Sequence, residues 1–278
     1  MIIRGNWMIF SYHVHSKWSD GTSEITEYIK KPRELGLDEI GISDHYVLTP
    51  DRSNLSWCMP IDALDGYIES VQQASGEAGS DLIVRLGLEA DYLPETAGDL
   101  ADELSMRPFD YIIGSVHIVD GFSIDDKAED WAPLSQKERD QIIREYWVRI
   151  RQMAQSRIFD FAGHLDLTKK FGIYPSVDIS PEIDAALDAI AGSGMAVELN
   201  TAGWYYACRE QYPSSGILEG CRKRRIPVLV NDDAHTPENL GRGYIEAYRL
   251  LHSLGFKEQV SYAGRMRYAD PLPNPDEG

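Results

Sequence analysis

The sequence predicts an α/β protein built on a parallel sheet, either doubly wound or closed into a barrel. Seven short apolar runs alternate with longer segments whose apolar residues recur at the helical period of about 3.6 residues. Such alternation is typical of parallel strands with helices packed on the sheet. At 278 residues, the chain also has the length of one α/β barrel domain.

The predicted strands are separated by amphipathic segments and by two longer irregular stretches. The strands are residues 8–14, 38–44, 81–89, 110–117, 157–164, 194–200 and 226–232. The predicted helices are residues 22–36, 62–79, 135–156, 180–194 and 214–225. No repeat or polar linker divides the chain, so we expect a single domain over 1–278 with a core of about 8–256. The stretches 47–61 and 118–133 are expected to form loops over one end of it.

The chain is strongly acidic, with 45 Asp and Glu against 27 Lys and Arg and a formal net charge of −18. This charge repels phosphate backbones and anionic lipid, so we expect neither long nucleic acid nor a membrane among its partners. The negative charge of the chain still allows an anionic substrate if metal ions supply positive charge at the site. The sequence shows no long apolar run or secretory signal, and its three cysteines form no CxxC pair, which favours reduced thiols in the cytoplasm.

Histidines lie at the carboxyl ends of the predicted strands. In HVHSKWSDG, His13 and His15 alternate with Val14 and so share one face of the strand end, and Asp20 follows five residues later. Other strand ends carry His45 in SDH, Glu89 in GLE, His117 in SVH, His164 in GH, and Asp233 and His235 in DDAH. In a parallel barrel these ends share one face, where such folds hold their active sites.

The shared position of these residues is not explained by packing. One such motif alone is more often a loop histidine than a ligand, but six of seven strand ends carry an imidazole or a carboxylate. These groups suit Zn, Mn or Fe, and the lack of thiolate argues against a structural zinc knot. Nine candidate ligands exceed the needs of one ion, which indicates two or three metals with Glu89 as a bridge. Clustered metals activate water and bind phosphoryl oxygens, which predicts phosphoester hydrolysis.

The motifs HVH…SDG, SDH, GLE, SVH, GHLD and DAH, in this order, resemble the PHP (polymerase and histidinol phosphatase) superfamily over residues 10–240. ELNTAG (198–203) and YPS (212–214) are similar to its histidinol-phosphatase branch. The resemblance implies a distorted (β/α)7 barrel, a TIM-like fold, with a trinuclear metal site. That agrees with the seven predicted strands.

The resemblance also implies a role for each strand-end residue. The first metal would take His13, His15, Glu89 and Asp233, the second Glu89, His117 and His164, and the third Asp20, His45 and His235. A hydroxide held between metals would attack phosphorus in line. Asp20 or His45 would donate a proton to the leaving alkoxide. The DAH motif favours Asp233 over its neighbour Asp232 as the ligand.

The residues expected to bind the substrate depart from the family pattern. Histidinol phosphatases typically carry a Gly-Leu-Arg-Lys run after NTxG, whereas this chain has WYY, so that Tyr205 and Tyr206 replace the basic pair. Lys170 takes the place of a second arginine, as a point charge rather than a bidentate fork. The candidate substrate-binding residues are Lys169, Lys170, Asn200, Tyr205 and Arg209.

Three functions are compatible with these residues. The leading hypothesis is a phosphatase for a small phosphorylated metabolite, L-histidinol phosphate, in histidine biosynthesis. The alternative keeps the chemistry and changes the substrate to a nucleotide or another small phosphoester, because aromatic residues near the site can stack on a base. The third hypothesis is a non-catalytic, metal-stabilised module. Domains that have lost their activity normally lack some of the metal ligands, but all nine candidate ligands are present here.

Overall fold

The computed structural model describes residues 7–80 and 82–276 of the chain. Within them the α-helices are α1 Ile25–Tyr28, α2 Pro32–Leu35, α3 Leu64–Ala78, α4 Ala97–Ser105, α5 Ala128–Trp131, α6 Gln136–Ser156, α7 Ser180–Ser193, α8 Ser215–Arg224 and α9 Tyr244–Ser253. Short 3-10 turns lie at Ile61–Ala63, Leu167–Lys169, Thr201–Tyr205 and Pro237–Asn239. No helix of the described residues is both long and apolar enough to span a membrane.

The strands are short and lie mostly inside the predicted ranges. They are β1 Phe10–Ser11, β2 Glu39–Ile42, β3 His45–Tyr46, β4 Ile83–Leu86, β5 Glu89–Asp91, β6 Ile113–Ser115, β7 Ile118–Val119, β8 Phe122–Ser123, β9 Phe161–Ala162, β10 Ala196–Asn200, β11 Val228–Asn231, β12 Glu258–Ala263 and β13 Met266–Pro271. The predicted strand 38–44 contains β2, with β3 just beyond its end, and the predicted strand 81–89 contains β4, with β5 beginning at its last residue. Asp81, where the second of these was expected to begin, lies outside the described residues.

The parallel strands close into a ring. One sheet runs β1-β2-β4 and the other β11-β10-β9-β6-β5-β3, so neighbours along the chain are neighbours in space. β1 and β11 are outer strands of the two sheets, and the residues that follow them, Val14 and Ala234, form a parallel bridge. There the backbone N–H of His15 donates to the carbonyl of Ala234 at 2.9 Å. The distorted seven-stranded barrel expected from the sequence is confirmed, with all carboxyl ends of its strands at one end.

Aromatic side chains fill the opposite, amino-terminal end of the barrel. Tyr111 crosses the interior so closely that a Cβ on Gly41 or Gly87 would lie within 2.0 or 2.2 Å of its ring or hydroxyl. Only glycine fits at these two positions. Tyr111 stacks on Tyr12 with ring centroids 4.9 Å apart and on Phe161 at 5.6 Å. This end of the barrel is therefore a packed core and not a channel.

An antiparallel hairpin, β12–β13, closes the amino-terminal end and was not predicted. It contributes Val260 and Tyr262 to the barrel interior, beyond residue 256 where the core was expected to end. The hydroxyl of Tyr262 donates to the carbonyl of Asp160 at 3.0 Å, and the side chain of Gln259 donates to the carbonyl of Met8 at 2.8 Å. The extent of the domain over 1–278 stays a prediction.

One predicted helix is interrupted. Residues 22–36 form two separate turns, α1 and α2, because Pro32 has no N–H with which to continue the hydrogen bonds of the first turn, although Lys31 before it keeps helical geometry. The other predicted helices are present with ends shifted by at most two residues. The stretch 47–61 is largely irregular, and the stretch 118–133 contains the short β7–β8 hairpin and α5.

Candidate metal and active site

Glu89 lies at the centre of the predicted donor set, at the carboxyl end of the barrel. Its Oε2 is 2.7 Å from Nδ1 of His45 and 3.1 Å from Nε2 of His13. Its Oε1 is 2.9 Å from Nε2 of His164 and 3.7 Å from Nε2 of His117. Glu89 is fully buried. One carboxylate therefore contacts imidazoles contributed by four different strand ends.

The other predicted donors gather around Asp233 and Asp20. Oδ1 of Asp233 is 3.2 Å from Nε2 of His15, and Oδ1 of Asp20 is 3.2 Å from Nε2 of His235. Donor atoms within 4.8 Å of one another form four overlapping groups: His13–His15–Asp233, His13–Glu89–His164, His45–Glu89–His117 and His15–Asp20–His45–His235. The structure thus brings all nine residues into one cluster, and it places His15 beside the third predicted group as well as in the first.

Several donor atoms of the cluster are buried and make no well-directed hydrogen bond among the described residues, even where a nitrogen and an oxygen lie as close as 2.7 Å. They are Nε2 of His13, both ring nitrogens of His15, Nδ1 of His45 and Oε2 of Glu89. Each buried unsatisfied polar atom costs about 1–3 kcal/mol. A cation that accepts their lone pairs would remove this cost, and nitrogen and oxygen donors of this kind suit divalent transition metals. The residues present therefore fit a divalent metal centre.

Glu198, which is not among the predicted site residues, holds two of the donor histidines in place. Its Oε2 lies 2.9 Å from Nδ1 of His13, and its Oε1 accepts the backbone N–H of His164 at 2.6 Å. Asn200 and Asn231 donate to its two oxygens at 2.9 and 2.8 Å. A carboxylate on one ring nitrogen orients the other toward a metal and raises its basicity. Glu198 shares a strand face with Asn200, which is the signal that could have identified it.

Asp91 and Ser115 contact two of the predicted donors, His117 and Glu89. Oδ1 of Asp91 lies 2.6 Å from Nδ1 of His117, and the Ser115 hydroxyl donates to Oε1 of Glu89 at 2.6 Å. Asp91 follows Glu89 by two residues in β5, so both side chains point to the same face. The alternation that identified His13 and His15 could also have identified Asp91.

Asp44 of the SDH motif fixes the loop that carries Asp20. Its carboxylate accepts the backbone N–H groups of Ser16 and Ser19 at 2.8 and 3.0 Å, and their hydroxyls at 2.7 and 2.6 Å. The loop therefore folds back over the barrel mouth and presents Asp20 to His235. Asp44 is fully buried, and its carboxylate holds the loop through hydrogen bonds and is not one of the candidate metal donors.

The two adjacent aspartates after β11 face opposite ways. Asp232 accepts the hydroxyl of Ser11 at 2.8 Å, inside the barrel wall. Asp233 has a left-handed backbone with φ of 52° and directs its carboxylate into the cluster. A non-glycine residue in that conformation is strained, as is common where function requires it. This geometry agrees with the choice of Asp233 over Asp232 as the candidate ligand.

Burial and neighbouring charges set the protonation of the cluster. Burial lowers the pKa of His15 to about 3, and the nearby His45 and His235 add to this effect, so the ring is neutral and its lone pair is free. Burial also opposes ionisation of Glu89, but the imidazoles of His45, His13 and His117 hold its pKa well below the usual range. A neutral imidazole beside an ionised carboxylate is the state that binds a metal.

A cavity of about 390 Å³ opens directly above the cluster. Residues of the donor cluster form its floor, and its walls are Trp57, Ser123, Asp125, Asp126, Leu167, Lys170, Tyr206 and Tyr212. Lys170 is the predicted substrate-binding residue that faces it. Its ammonium donates to the carbonyl of Asp125 at 2.8 Å and lies 4.8 Å from the Tyr206 ring centroid. Burial lowers the pKa of Lys170, but the Asp125 carboxylate outweighs it and raises the value, so the lysine is charged.

The structure places the other four predicted substrate-binding residues away from the cavity. Lys169 is buried against Asp166 and Glu210, at 2.9 and 2.7 Å. Asn200 is fully buried and bonds to Glu198 and Ala202. Tyr205 is half exposed over the guanidinium of Arg242, and Arg209 is exposed. Within the WYY run, Tyr206 and not Tyr205 lines the cavity.

Trp57, from the irregular stretch 47–61, stands over the donor set. Its ring centroid lies 5.0 Å from that of His45 and 5.4 Å from that of His117, both edge to face. It forms an apolar wall of the cavity beside the donors. No motif marked Trp57 in the sequence, because its role depends on how a long loop folds over the barrel.

A parallel α/β barrel with nitrogen and oxygen donors clustered at its carboxyl end, beneath a pocket, defines a metal-dependent hydrolase. The sequence model of the PHP domain matches residues 11–202. The chain belongs to the PHP domain family.

Comparisons with known proteins agree with this assignment. A protein of Deinococcus radiodurans named "probable histidinol-phosphatase" is 34% identical over 245 residues, covering 87% of this chain and 92% of that protein. The histidinol-phosphatase of Lactococcus lactis subsp. lactis is 22% identical over 260 residues, covering 91% and 94%. The crystal structure of the Lactococcus lactis histidinol phosphate phosphatase, complexed with zinc, L-histidinol and phosphate, has a TM-score of 0.78 at 21% identity and covers 94% of this chain and 98% of that one. That structure shares the fold.

Proposed function

We propose that this protein is a metal-dependent phosphomonoesterase that hydrolyses L-histidinol phosphate to L-histidinol and phosphate. The observation that carries the proposal is the convergence of nine imidazole and carboxylate groups beneath one cavity that also contains a charged lysine. The 34% identity to the Deinococcus radiodurans protein over most of both chains supports the choice of substrate. A small cavity and a net charge of −18 favour a metabolite over long nucleic acid, and a cytoplasmic location fits this role.

We propose three metal positions that share the central carboxylate. The donors for the first are His13, His15, Glu89 and Asp233; for the second Glu89, His117 and His164; and for the third Asp20, His45 and His235. Zn, Mn and Fe are the candidate ions, since the donors are imidazole and carboxylate without thiolate. When bound, such ions activate a water molecule and neutralise charge on the phosphoryl oxygens.

Within this arrangement the chain's own residues bind and orient the substrate. Lys170 is the cation placed to contact a phosphoryl oxygen from the cavity side, opposite the donor cluster. Trp57 forms an apolar wall of the cavity beside the donors, and the packed residues behind Glu89 and His13 fix the direction of their lone pairs. Asp20 and His45 line the cavity and are the candidate proton donors to the leaving alkoxide.

The far wall of the cavity suits the organic part of this substrate. L-Histidinol phosphate carries an ammonium group, and the cavity wall facing solvent holds Asp125 and Asp126. Lys170 already pairs with Asp125 at 3.0 Å, whereas Asp126 is exposed at the mouth and contacts only the exposed Lys127 at 3.5 Å among the described residues. Asp126 is therefore the carboxylate available to the ammonium group.

A nucleotide is the second candidate substrate, favoured by the Trp57 and Tyr206 rings in the cavity wall. A base could stack on either ring. The two aspartates beside them disfavour a second phosphate group, so a nucleoside monophosphate is the form to test.

The test is phosphate release from L-histidinol phosphate, AMP and p-nitrophenyl phosphate, each measured with added Mn²⁺ or Zn²⁺. We expect the highest kcat/KM with L-histidinol phosphate. A higher kcat/KM with AMP would replace the proposed substrate by the second candidate. A purified, folded protein that releases phosphate from none of the three would contradict the phosphatase itself.

A further inference from the structure

A second cavity of about 360 Å³ lies at the opposite end of the barrel from the donor cluster. It is formed by the end of α8, the start of β11 and the β12–β13 hairpin. Its rim carries Arg222, Arg225, Lys257 and Arg267. Glu258 is the one carboxylate that accompanies these four cations among the described lining residues. Such a concentration of positive charge is unexpected in a chain of net charge −18.

The four cations are not neutralised by carboxylates. None of them forms an ion pair within 4.0 Å in the described part of the chain, although the neighbouring Arg224 pairs with Asp184 and Asp188 at 2.8 and 2.6 Å. Uncompensated like charges gathered in one place repel one another and raise the free energy of the folded state. A bound anion would relieve that repulsion.

Two of the guanidinium groups are held in place by neutral acceptors. Nε of Arg222 donates to the carbonyl of Gly255 at 3.0 Å, and Nη1 of Arg267 donates to the carbonyl of Gly194 at 2.6 Å. A carbonyl anchors the group without cancelling its charge, and the remaining N–H donors stay available. A pre-positioned guanidinium loses less entropy when it binds a phosphate.

Between the cations the floor of this groove is apolar. Pro227 and Ala269 are its accessible apolar residues, and the largely buried Ile226, Val228, Phe256 and Val260 also line it. An apolar floor under a cationic rim suits a ligand with a flat apolar body and several negative charges. Inorganic phosphate would leave the floor uncovered, and a neutral aromatic would leave the rim unpaired.

We propose that this groove, defined by Arg222, Arg225, Lys257 and Arg267 around the apolar floor at Pro227 and Ala269, binds a nucleoside polyphosphate. The base would cover the apolar floor and the phosphates would contact the guanidinium groups. The site is separate from the donor cluster, because it lies at the amino-terminal end of the barrel, and the proposal does not depend on the substrate proposed above.

The experiment is isothermal titration calorimetry of the metal-loaded protein with the β,γ-imido analogue of ATP, which resists hydrolysis at the donor cluster. We expect saturable binding of one molecule at the groove. In the double variant Arg222→Ala/Arg267→Ala this binding should weaken by about tenfold or more, since two charged contacts are lost. The matched control is Lys223→Ala, which removes an exposed cation of the same helix that does not line the groove.

A circular dichroism spectrum equal to that of the wild type and a cooperative melting transition would show that the double variant is folded. No saturable binding to the wild type would overturn the proposal. Binding that the double variant retains would assign the nucleotide to the donor cluster and also overturn it. An equal loss of binding in Lys223→Ala would show that the analogue is held only by nonspecific electrostatic attraction, and this result would also overturn the proposal.

Discussion

The carboxylate of Glu198 lies 2.9 Å from Nδ1 of His13 and directs the other nitrogen of that ring toward Glu89. Both side chains are fully buried. Burial opposes a charge on His13, but the carboxylates of Glu198, Glu89 and Asp233 overcome this and raise its pKa. A metal at Nε2 would take the place of the proton that these carboxylates attract.

Glu198→Gln keeps the shape of this side chain and removes its charge. We expect metal affinity or turnover to fall by about 10–100-fold, the usual effect of losing a carboxylate behind a metal-binding histidine. Metal content by plasma mass spectrometry and turnover of L-histidinol phosphate measure it. Glu219→Gln, on the exposed face of α8, is the matched control. Wild-type metal content and turnover in Glu198→Gln would remove Glu198 from the site.

Lys170 and Lys169 are adjacent lysines with different surroundings. Lys170 faces the cavity, so Lys170→Met should raise KM for L-histidinol phosphate or lower kcat/KM by about tenfold or more. Lys169→Met should leave KM unchanged and lower the melting temperature by several degrees, because Asp166 and Glu210 lose their partner. Steady-state kinetics and thermal melting separate the two effects. A rise in KM for Lys169→Met alone would contradict this assignment.

Asp126 is expected to recognise the ammonium group of the substrate. Asp126→Asn should raise KM for L-histidinol phosphate by about two- to fivefold, the effect of an exposed ion pair, and should leave KM for p-nitrophenyl phosphate unchanged. Asp130→Asn is the control, since Asp130 belongs to the same acidic segment and does not line the cavity. The same change in KM for both substrates would show that Asp126 does not contact the ammonium group.

The carboxy-terminal hairpin is expected to be part of the core. Tyr262→Ala should lower the free energy of unfolding by about 3–5 kcal/mol, because it removes a buried ring from the closed end of the barrel. Tyr268→Ala, on the exposed face of β13, should change it by less than about 0.5 kcal/mol. Urea unfolding followed by circular dichroism measures both. Equal stability of the two variants would separate the hairpin from the core.

The periodicities of the sequence were sufficient to predict a parallel α/β fold and the candidate donor set, and the resemblance to the PHP superfamily implied that the sheet closes into a seven-stranded barrel. Side chains alternate along a strand, so HVH places two imidazoles on one face, and parallel strands bring their carboxyl ends together. The same rule applied to Glu89 and Asp91, or to Glu198 and Asn200, would have identified the carboxylates behind the donors. Those residues were missed because no cluster of histidines marked them.

Which residues face the substrate cavity depends on contacts that the spacing of residues in the sequence does not determine. Lys169 and Lys170 are neighbours, yet the 3-10 turn Leu167–Lys169 sends one ammonium toward Asp166 and the other into the cavity. Trp57 reaches the site from a loop without regular structure, and the hairpin closes the barrel through contacts between distant parts of the chain. Long-range packing of this kind has no local signature in the sequence.

The most direct test of the account is the metal content of the purified protein, measured by plasma mass spectrometry together with phosphate release from L-histidinol phosphate. We predict two or three transition-metal ions per chain in the wild type. For Glu89→Gln we predict loss of most of this metal and a matching loss of turnover, because Glu89 contacts five of the imidazoles. Full turnover in a protein that contains no metal, or in Glu89→Gln, would contradict the central claim.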